Sequence, residues 1–350
     1  MTGSAALLIA LGAVASYLIA ARVRAYALRA SLLDVPNERS SHTVPTPRGG
    51  GLAIAVVTLC GTALAVPLGL VPMRLAMAIV GGGVLIACVG FIDDRRGLPA
   101  SARALAHIAA ALWTVRVLGG LPDLELGGRS VHLGWWGGAL AVAGIVWLTN
   151  LYNFMDGIDG LAGGEATLVG AGAGLMLLAA GRADIALIAG LVSAASAGFL
   201  VWNWPPARLF MGDVGSGFLG YLFATLAVAS ENSGALPLLA WVIILAVFVL
   251  DATTTLLRRA LSGQRWYAAH RSHAYQRAVQ HGRSHREVTI GVLVLDLALC
   301  ALAGAATRWP AFLLPAVGGA FVLVGLAYMV VERQCPMYPL SRPSRTAPPR

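Results

Sequence analysis

The sequence predicts an all-α protein, a polytopic integral membrane helix bundle with about eleven transmembrane helices, or ten on the alternative count. Of 350 residues, 58% are hydrophobic and only 12% are charged, a composition that excludes an ordinary water-soluble protein. Apolar runs long enough to cross a hydrocarbon layer of roughly 30 Å also follow one another along the chain. The predicted spans are 5–21, 51–70, 75–92, 102–118, 136–152, 166–180, 185–202, 217–229, 236–257, 288–306 and 311–331.

The first apolar run is interpreted as a retained helix. Arg22 and Arg24 follow it without a small-residue cleavage signal, and more spans come after it, so a signal peptide is disfavoured. All 25 basic residues are Arg, and sorting them by loop puts twenty on one side of the membrane and five on the other. Because positively charged loops stay in the cytoplasm, the N-terminus is predicted outside and the C-terminus inside.

This orientation predicts cytoplasmic loops at 22–50, 93–103, 153–165, 203–216 and 258–287. The chain then forms a single transmembrane domain over 1–332, followed by a disordered cytoplasmic tail over 333–350. The Arg residues lie between apolar runs and form no single stripe, so a nucleic-acid partner is not expected. Four cysteines without CxxC spacing indicate neither a disulfide framework nor a zinc site.

Five aspartates gather at predicted cytoplasmic helix ends. Asp93 and Asp94 end the third span in GFIDDRRGL, Asp156 and Asp159 follow the fifth in NLYNFMDGIDGLAGGEA, and Asp213 precedes the eighth in FMGDVGSGFLGY. Because all of these ends face the same side, one interfacial cleft could collect the five carboxylates.

The paired aspartates admit two interpretations. Asp93 and Asp94 precede Arg95 and Arg96, so the segment could be a loop of self-compensating charge. A carboxylate pair at a membrane boundary is costly, however, unless a cation neutralises it, and hard oxygen ligands suit Mg²⁺ or Mn²⁺. The acidic motifs contain no His or Cys, which argues against zinc.

The glycine-rich motifs can also be explained by purely structural roles. Asp156 and Asp159 share a face if their segment is helical, but they would equally serve as turn or cap residues in a Gly-rich loop. The glycines around Asp213 could simply allow close helix packing.

The loop over 258–286 contains seven Arg and four His. Attraction to anionic lipids explains the Arg excess, but His270, Arg271 and His273 in AHRSH form a donor cluster suited to a diphosphate. A His-only metal site is the rival interpretation. Arg48, next to three glycines, is a further candidate phosphate contact. His107, Asp251 and Asp296 are isolated, and packing or polar pairing is predicted for them.

The motifs HTVPTPRGGG, GFIDDRR, NLYNFMDGIDGLAGGEA, FMGDVGSGFLG and AHRSHAYQR, in this order, resemble those of the polyprenyl-phosphate N-acetylhexosamine-1-phosphate transferase family, of the glycosyltransferase family 4 type. The form AHRSHAYQR is most similar to the O-antigen initiating branch, which handles deoxy amino sugars such as N-acetylfucosamine or N-acetylquinovosamine. Several relatives carry Lys where this chain has Arg, so any role that needs a neutral amine is excluded.

The resemblance implies a reaction at the cytoplasmic face of the bacterial inner membrane. Undecaprenyl phosphate would attack the β-phosphorus of a UDP-N-acetylhexosamine, release UMP and start O-antigen or another envelope polysaccharide. The donor would be UDP-N-acetylglucosamine or a deoxy relative, and the cofactor Mg²⁺, with Mn²⁺ as the alternative. Gly-rich helix faces could pack within one chain or between two chains of a homodimer.

The resemblance also implies roles for individual residues. One of the paired aspartates would deprotonate or position the lipid phosphate, and Asp213 would act with them in catalysis. The implied assignments are Asp213 and Asn153 as metal ligands, Asp93, Asp94 and Asp213 as catalytic residues, Asp156, Asp159 and Asn150 on the nucleotide side, and His270, Arg271, His273 and Arg48 at the diphosphate and sugar.

A secondary transporter or lipid flippase is the alternative from another class. It predicts inverted repeats and broken helices with charges at the bilayer centre. No half of the sequence repeats the other, and the acidic motifs cluster at one face, so unbroken helices are expected here. A purely structural scaffold would leave the five motifs without a cause.

Overall fold

A computed structural model describes residues 2–36, 44–265 and 270–338. The prediction of an all-α polytopic membrane protein is confirmed. The helices are α1 Gly3–Arg29, α2 Gly51–Ala65, α3 Met73–Arg96, α4 Ala100–Leu118, α5 Trp135–Met155, α6 Leu161–Ala179, α7 Ala183–Asn203, α8 Asp213–Asn232, α9 Leu238–Ile244, α10 Ala246–Leu261, α11 Ala274–Gln280, α12 His285–Arg308 and α13 Leu313–Gln334.

Two short antiparallel hairpins join the helices at opposite ends of the bundle. The first pairs β1 (Leu33–Asp34) with β2 (Thr46–Pro47), and the second pairs β3 (Asp123–Glu125) with β4 (Ser130–His132). The first hairpin precedes α2 and lies at the end of the bundle that carries the aspartate motifs. The second precedes α5 at the opposite end, where the Glu231 carboxylate accepts the N–H of Glu125.

Fewer helices are long and apolar enough to cross a membrane than the eleven that the sequence predicts. In the described part of the chain, eight helices are long and apolar enough to cross a membrane, and a bent pair raises this to nine. Each of the eleven predicted runs overlaps at least one helix, and the run 236–257 overlaps both α9 and α10. α2 has only 15 residues, and α4 is not among the eight. The apolar runs therefore located the helices but not their exact lengths.

The predicted continuous span over 236–257 is wrong, because the chain bends by 81° between α9 and α10. Leu245 takes φ −101° and ψ 9° at this break. Neither Gly nor Pro stands there, so the sequence gives no sign of the interruption. The expectation of unbroken helices is corrected accordingly.

Two carboxyl groups also lie buried inside the bundle. Glu165 of α6 and Asp296 of α12 are both fully buried, and the Tyr152 hydroxyl lies close to the Glu165 carboxyl. The acidic residues are thus not confined to one face. Packing or polar pairing was predicted for Asp296, and the structure shows it packed inside the bundle without a hydrogen-bond partner among the described residues.

The end of the chain is packed further than the predicted domain boundary at 332. α13 continues to Gln334, and the Arg277 guanidinium donates to the carbonyl of Cys335 at 2.5 Å. The predicted disordered tail over 333–350 falls largely on 339–350, which lie outside the described residues.

Helix α8 is the centre of the bundle. Every residue from Val214 to Glu231 is buried, and the helix packs against α2, α3 and α5. Close approach at its start depends on glycine, because a Cβ on Gly215 would come within 2.5 Å of the Cα of Gly51. The first turns of α2 and α8 are thereby held in backbone contact.

We expect Gly215→Ala to lower the free energy of unfolding by about 1–3 kcal/mol, because the added methyl group overpacks the contact between α2 and α8. Gly291→Ala is the matched control, since a Cβ on that helical glycine would meet no atom within 4 Å. Thermal unfolding in detergent, followed by circular dichroism, compares the two. Equal melting temperatures for both variants would contradict the expectation.

Candidate active site

Arg48 bridges two of the predicted aspartates. Its Nε lies 2.9 Å from Asp94 Oδ1, and its terminal nitrogen donates to Asp213 Oδ1, also at 2.9 Å. Burial tends to lower the pKa of Arg48, but the nearby carboxylates outweigh it and raise this pKa above its usual value. The guanidinium therefore stays charged and offsets part of the negative charge of both carboxylates.

The backbone around Arg48 is tied to the segment before α8. Gly50 and Gly51 donate their N–H groups to the carbonyls of Phe210 and Met211, and Phe210 donates to Pro47, each at 2.8 Å. This pairing fixes the loop that carries Arg48 against the start of α8. The distance between Arg48 and Asp213 thus depends on the backbone as well as on the ion pair.

Asp94 caps helix α8 from a neighbouring helix. Its two carboxylate oxygens accept the N–H groups of Asp213 and Val214, at 2.8 and 3.1 Å. A carboxylate at a helix N-terminus satisfies free donors and is attracted by the helix dipole. The side chain is only 7% exposed, so all of its hydrogen-bonding capacity is directed into the protein.

Gly212 makes room for this cap. It has φ +77°, and a Cβ there would lie 2.6 Å from Asp94 Oδ2. Both the backbone conformation and the close approach therefore require glycine.

Asp93 points elsewhere, although it is adjacent in sequence. Its Oδ1 accepts the N–H of Leu98 and its Oδ2 accepts from Arg103 at 2.8 Å. Arg103 also lies 3.7 Å from Asp213 Oδ2. Asp93 and Asp213 consequently share one cation, as Asp94 and Asp213 share Arg48.

The two asparagines of α5 stand on the same side. Asn153 donates to Ser216 Oγ at 3.0 Å and lies within hydrogen-bonding reach of Asp213. Asn150, one turn earlier, contacts the His107 ring at 3.1 Å. The structure therefore brings Asn153 to Asp213, as predicted for a shared role, and places Asn150 beside α4.

Asp156 and Asp159 have different surroundings. Burial raises the pKa of Asp156 well above its usual value, while Arg48 opposes this shift and Asp213 adds to it. Asp159 Oδ2 instead accepts the N–H of Ala207 at 2.9 Å, and its Oδ1 lies 3.3 Å from His285. Asp156 thus interacts with the charged groups of Arg48 and Asp213, whereas Asp159 holds the loop before α8 by a hydrogen bond.

The described residues of the AHRSH motif begin at His270, since 266–269 lie outside the described part. Burial and the neighbouring His273 and Arg259 lower the pKa of His270 to about 4, so its ring is neutral at pH 7. His273 is only 2% exposed, and its Nδ1 lies 3.5 Å from Asp251 Oδ1. The Arg271 carbonyl accepts from Gln280 at 2.9 Å.

Asp251 anchors this motif to the site. Its carboxylate accepts the N–H groups of Ala274 and Tyr275, at 2.8 and 3.3 Å. Tyr275 in turn donates its hydroxyl to the carbonyl of Phe154 at 2.9 Å, and the His273 ring stacks on Phe154 at 6.3 Å between centroids. α11 is therefore attached directly to the end of α5 that carries Asn153.

A cavity of about 880 Å³ opens beside the carboxylates. One end is polar, and the rest is walled by apolar residues of α4 and α5 such as Leu112, Val115 and Val142. Such a shape suits an amphipathic ligand with an anionic head and a hydrocarbon chain. The polar end is formed by Asp93, Arg103, His107, Asn150, Asn153 and Asp213.

The donor atoms near Asp213 fit a hard divalent cation. In the described residues, no group of three or more His, Cys, Asp or Glu side chains is arranged to hold a metal ion. Magnesium does not need such a group, because it usually takes one or two carboxylates and completes its shell with water and substrate phosphates. Asp213, Asn153 and the nearby Asp93 carry side-chain oxygen atoms of this kind.

Known proteins share this sequence organisation. Residues 76–231 match the sequence profile of glycosyl transferase family 4. A probable undecaprenyl-phosphate N-acetylglucosaminyl 1-phosphate transferase of Bacillus subtilis is 32% identical over 284 residues, which cover 79% of this chain and 76% of the relative. The chain belongs to glycosyl transferase family 4.

Further family members support the same placement. A decaprenyl-phosphate N-acetylglucosaminephosphotransferase of Mycobacterium tuberculosis is 30% identical over 356 residues, covering 91% of this chain and 86% of the relative. A phospho-N-acetylmuramoyl-pentapeptide-transferase of Moorella thermoacetica is 31% identical over 241 residues, 64% of this chain and 72% of the relative. The resemblance seen in the motifs is confirmed, and this family member is a transferase.

Three residues were not identified from the sequence as parts of the site. Arg103 counted only as one of the cytoplasmic orientation charges. His107 and Asp251 were predicted only to pack or to pair with polar groups, and both have polar partners in the structure. A weak signal was present for the first two, because residues four apart share a helix face and both lie on α4. Their contacts cross from one helix to another, which spacing along one chain does not reveal.

We expect Asp94→Ala to lower the free energy of unfolding by about 3 kcal/mol, because it breaks the ion pair with Arg48 and removes the cap of α8. Asp93→Ala should cost less, since Asp93 accepts only one backbone N–H, that of Leu98, beside its ion pair with Arg103. Chemical unfolding in mild detergent measures both variants. A larger loss for Asp93→Ala would refute the distinction between the two aspartates.

Proposed function

We propose that this transferase moves N-acetylhexosamine-1-phosphate from a UDP-sugar to undecaprenyl phosphate at the cytoplasmic face of the bacterial inner membrane. The observation that carries the proposal is the cavity whose polar end joins the carboxylate and arginine cluster and whose remainder is apolar. A lipid phosphate is likewise divided into a charged head and an apolar chain. The names of the relatives, which refer to transfer of sugar phosphates and to polyprenyl phosphates, support the reaction.

In the proposed reaction, an oxygen of the lipid phosphate forms a bond to the β-phosphorus of the UDP-sugar. The bond between the β-phosphorus and the bridging oxygen breaks, and UMP leaves with that oxygen. The product is a polyprenyl diphosphate sugar. Phosphoryl transfer of this kind depends mainly on positioning and on stabilising negative charge.

Asp93 is the better candidate of the paired aspartates for contact with the acceptor. It lines the cavity together with Arg103, whereas Asp94 is occupied by Arg48 and the start of α8. Arg103 would orient the acceptor phosphate beside Asp93. Asp94 would act indirectly, by holding Arg48 and Asp213 in place.

The donor would lie on the other side of Asp213. Arg48 and Asp156 interact electrostatically with Asp213, and the His270 ring lies against the His273 ring, which stacks on Phe154. His270 would donate to the diphosphate or sugar as a neutral ring, together with Arg271, while the buried His273 would support it. Asp156 would face the uridine, and Asp159 would shape its loop.

Magnesium, with manganese as an alternative, would be held by Asp213 and Asn153. When bound, the ion supplies positive charge that stabilises the phosphates as charge develops on the leaving UMP. The orientation charges favour a cytoplasmic site. For the donor we propose UDP-N-acetylglucosamine or a deoxy relative, in the initiation of O-antigen or another envelope polysaccharide.

The reaction is tested with purified protein, undecaprenyl phosphate and a panel of radiolabelled UDP-sugars. We expect label in the lipid fraction and an equal amount of UMP in the aqueous phase, with no turnover when either substrate is omitted. Transport or flipping would move a substrate between compartments without releasing UMP. Lipid-linked label with no UMP would contradict the reaction.

We expect Asp213→Ala to reduce magnesium-dependent UMP release by at least about a thousandfold, because it removes a proposed metal ligand and both arginine contacts of the site. Asp123→Ala is the matched control, since that exposed aspartate lies on β3 at the opposite end. Wild-type protein treated with EDTA should lose activity and regain it with Mg²⁺. Turnover by Asp213→Ala at the wild-type rate would contradict the assignment of Asp213 as a metal ligand.

A further inference from the structure

His107 occupies a distinctive position in the cavity. It lies on α4, four residues after Arg103 and on the same face of the helix, and Asn150 lies opposite on α5. Beyond this pair, the cavity wall is formed by residues such as Ile108, Leu112 and Val142. His107 and Asn150 thus mark the junction between the polar and the apolar part of the cavity.

The hydrogen bonds of Asn150 determine the tautomer of His107. Asn150 Nδ2 donates to the carbonyl of Val146 at 2.7 Å, so this atom is the amide nitrogen. The same nitrogen lies 3.1 Å from His107 Nδ1. Because an amide nitrogen cannot accept, Nδ1 must accept the bond, and the ring proton of neutral His107 is on Nε2.

The surroundings also favour a neutral ring. The Arg103 guanidinium lies one helical turn away, and a second positive charge on His107 would be repelled by it. Arg103 therefore provides a cation, and His107 provides an uncharged N–H donor on the same face of α4. A phosphate monoester has several acceptor oxygens and can take both kinds of contact.

We propose that His107, held by Asn150, binds the phosphate of the prenyl acceptor through its Nε2–H. This inference deepens the proposed function, since it assumes a lipid phosphate in the cavity. It assigns Asn150 to the acceptor side of the site instead of the nucleotide side. The head of the lipid lies against Arg103 and His107, and its chain follows the apolar wall of α4 and α5.

The test compares farnesyl phosphate with farnesol, measured by quenching of tryptophan fluorescence without any UDP-sugar present. Trp135 and Trp147 line the cavity and report on its occupation. We expect His107→Leu to weaken binding of farnesyl phosphate about tenfold, because a hydrogen bond to a charged group is lost. Binding of farnesol, which has no phosphate, should stay unchanged.

Two further variants keep the test decisive if His107→Leu folds poorly. His107→Gln retains an N–H donor and should keep affinity within about threefold of the wild type. His132→Leu, in the exposed β4 strand at the opposite end, should leave both affinities unchanged. Equal losses for farnesyl phosphate and farnesol in His107→Leu would indicate apolar packing only and overturn the proposal.

Turnover separates this inference from the proposed function. In His107→Leu, the KM for undecaprenyl phosphate should rise while the KM for the UDP-sugar stays constant. A rise confined to the UDP-sugar would put His107 on the donor side and overturn the inference. Absence of any turnover in the wild type would overturn the proposed reaction, whereas the farnesyl phosphate comparison would still decide whether His107 binds a lipid phosphate.

Discussion

The bridge from Arg48 to Asp94 and Asp213 is the interaction on which the site depends. Carboxylates crowded at a membrane boundary repel one another and lose hydration, so they require a fixed counter-charge. Arg48 supplies it, and the free N–H groups at the start of α8 supply the remainder. The same contacts join the ends of α2, α3 and α8, so packing of the bundle and electrostatics of the site cannot be separated.

A pair of adjacent aspartates is divided between two tasks by this arrangement. Asp94 turns inward to the helix end, and Asp93 turns to the cavity and Arg103. Each is thereby matched to a different cation, which keeps two like charges apart although they are neighbours in sequence. Asp213 lies between the two cations, and in the proposed reaction the acceptor and the donor meet beside it.

Much of this organisation could be predicted from the sequence. Long apolar runs located the helices, because the cost of unsatisfied backbone in a bilayer leaves few alternatives to a helix. Motifs at helix ends on one side predicted that Asp93, Asp156 and Asp213 would gather. The bend at Leu245 was missed since no residue there breaks a helix intrinsically, and the partner of His107 was missed since it lies on another helix.

The cap at the start of α8 also limits how this protein can change. Gly212 must remain glycine for reasons of conformation and space, and Asp94 must retain two acceptor oxygens for the same helix end. The N–H groups of Asp213 and Val214 are already taken by Asp94, so this turn is fixed from inside the protein. Local substitutions there would displace the start of α8 together with Asp213, so the fold and the site constrain the same few residues.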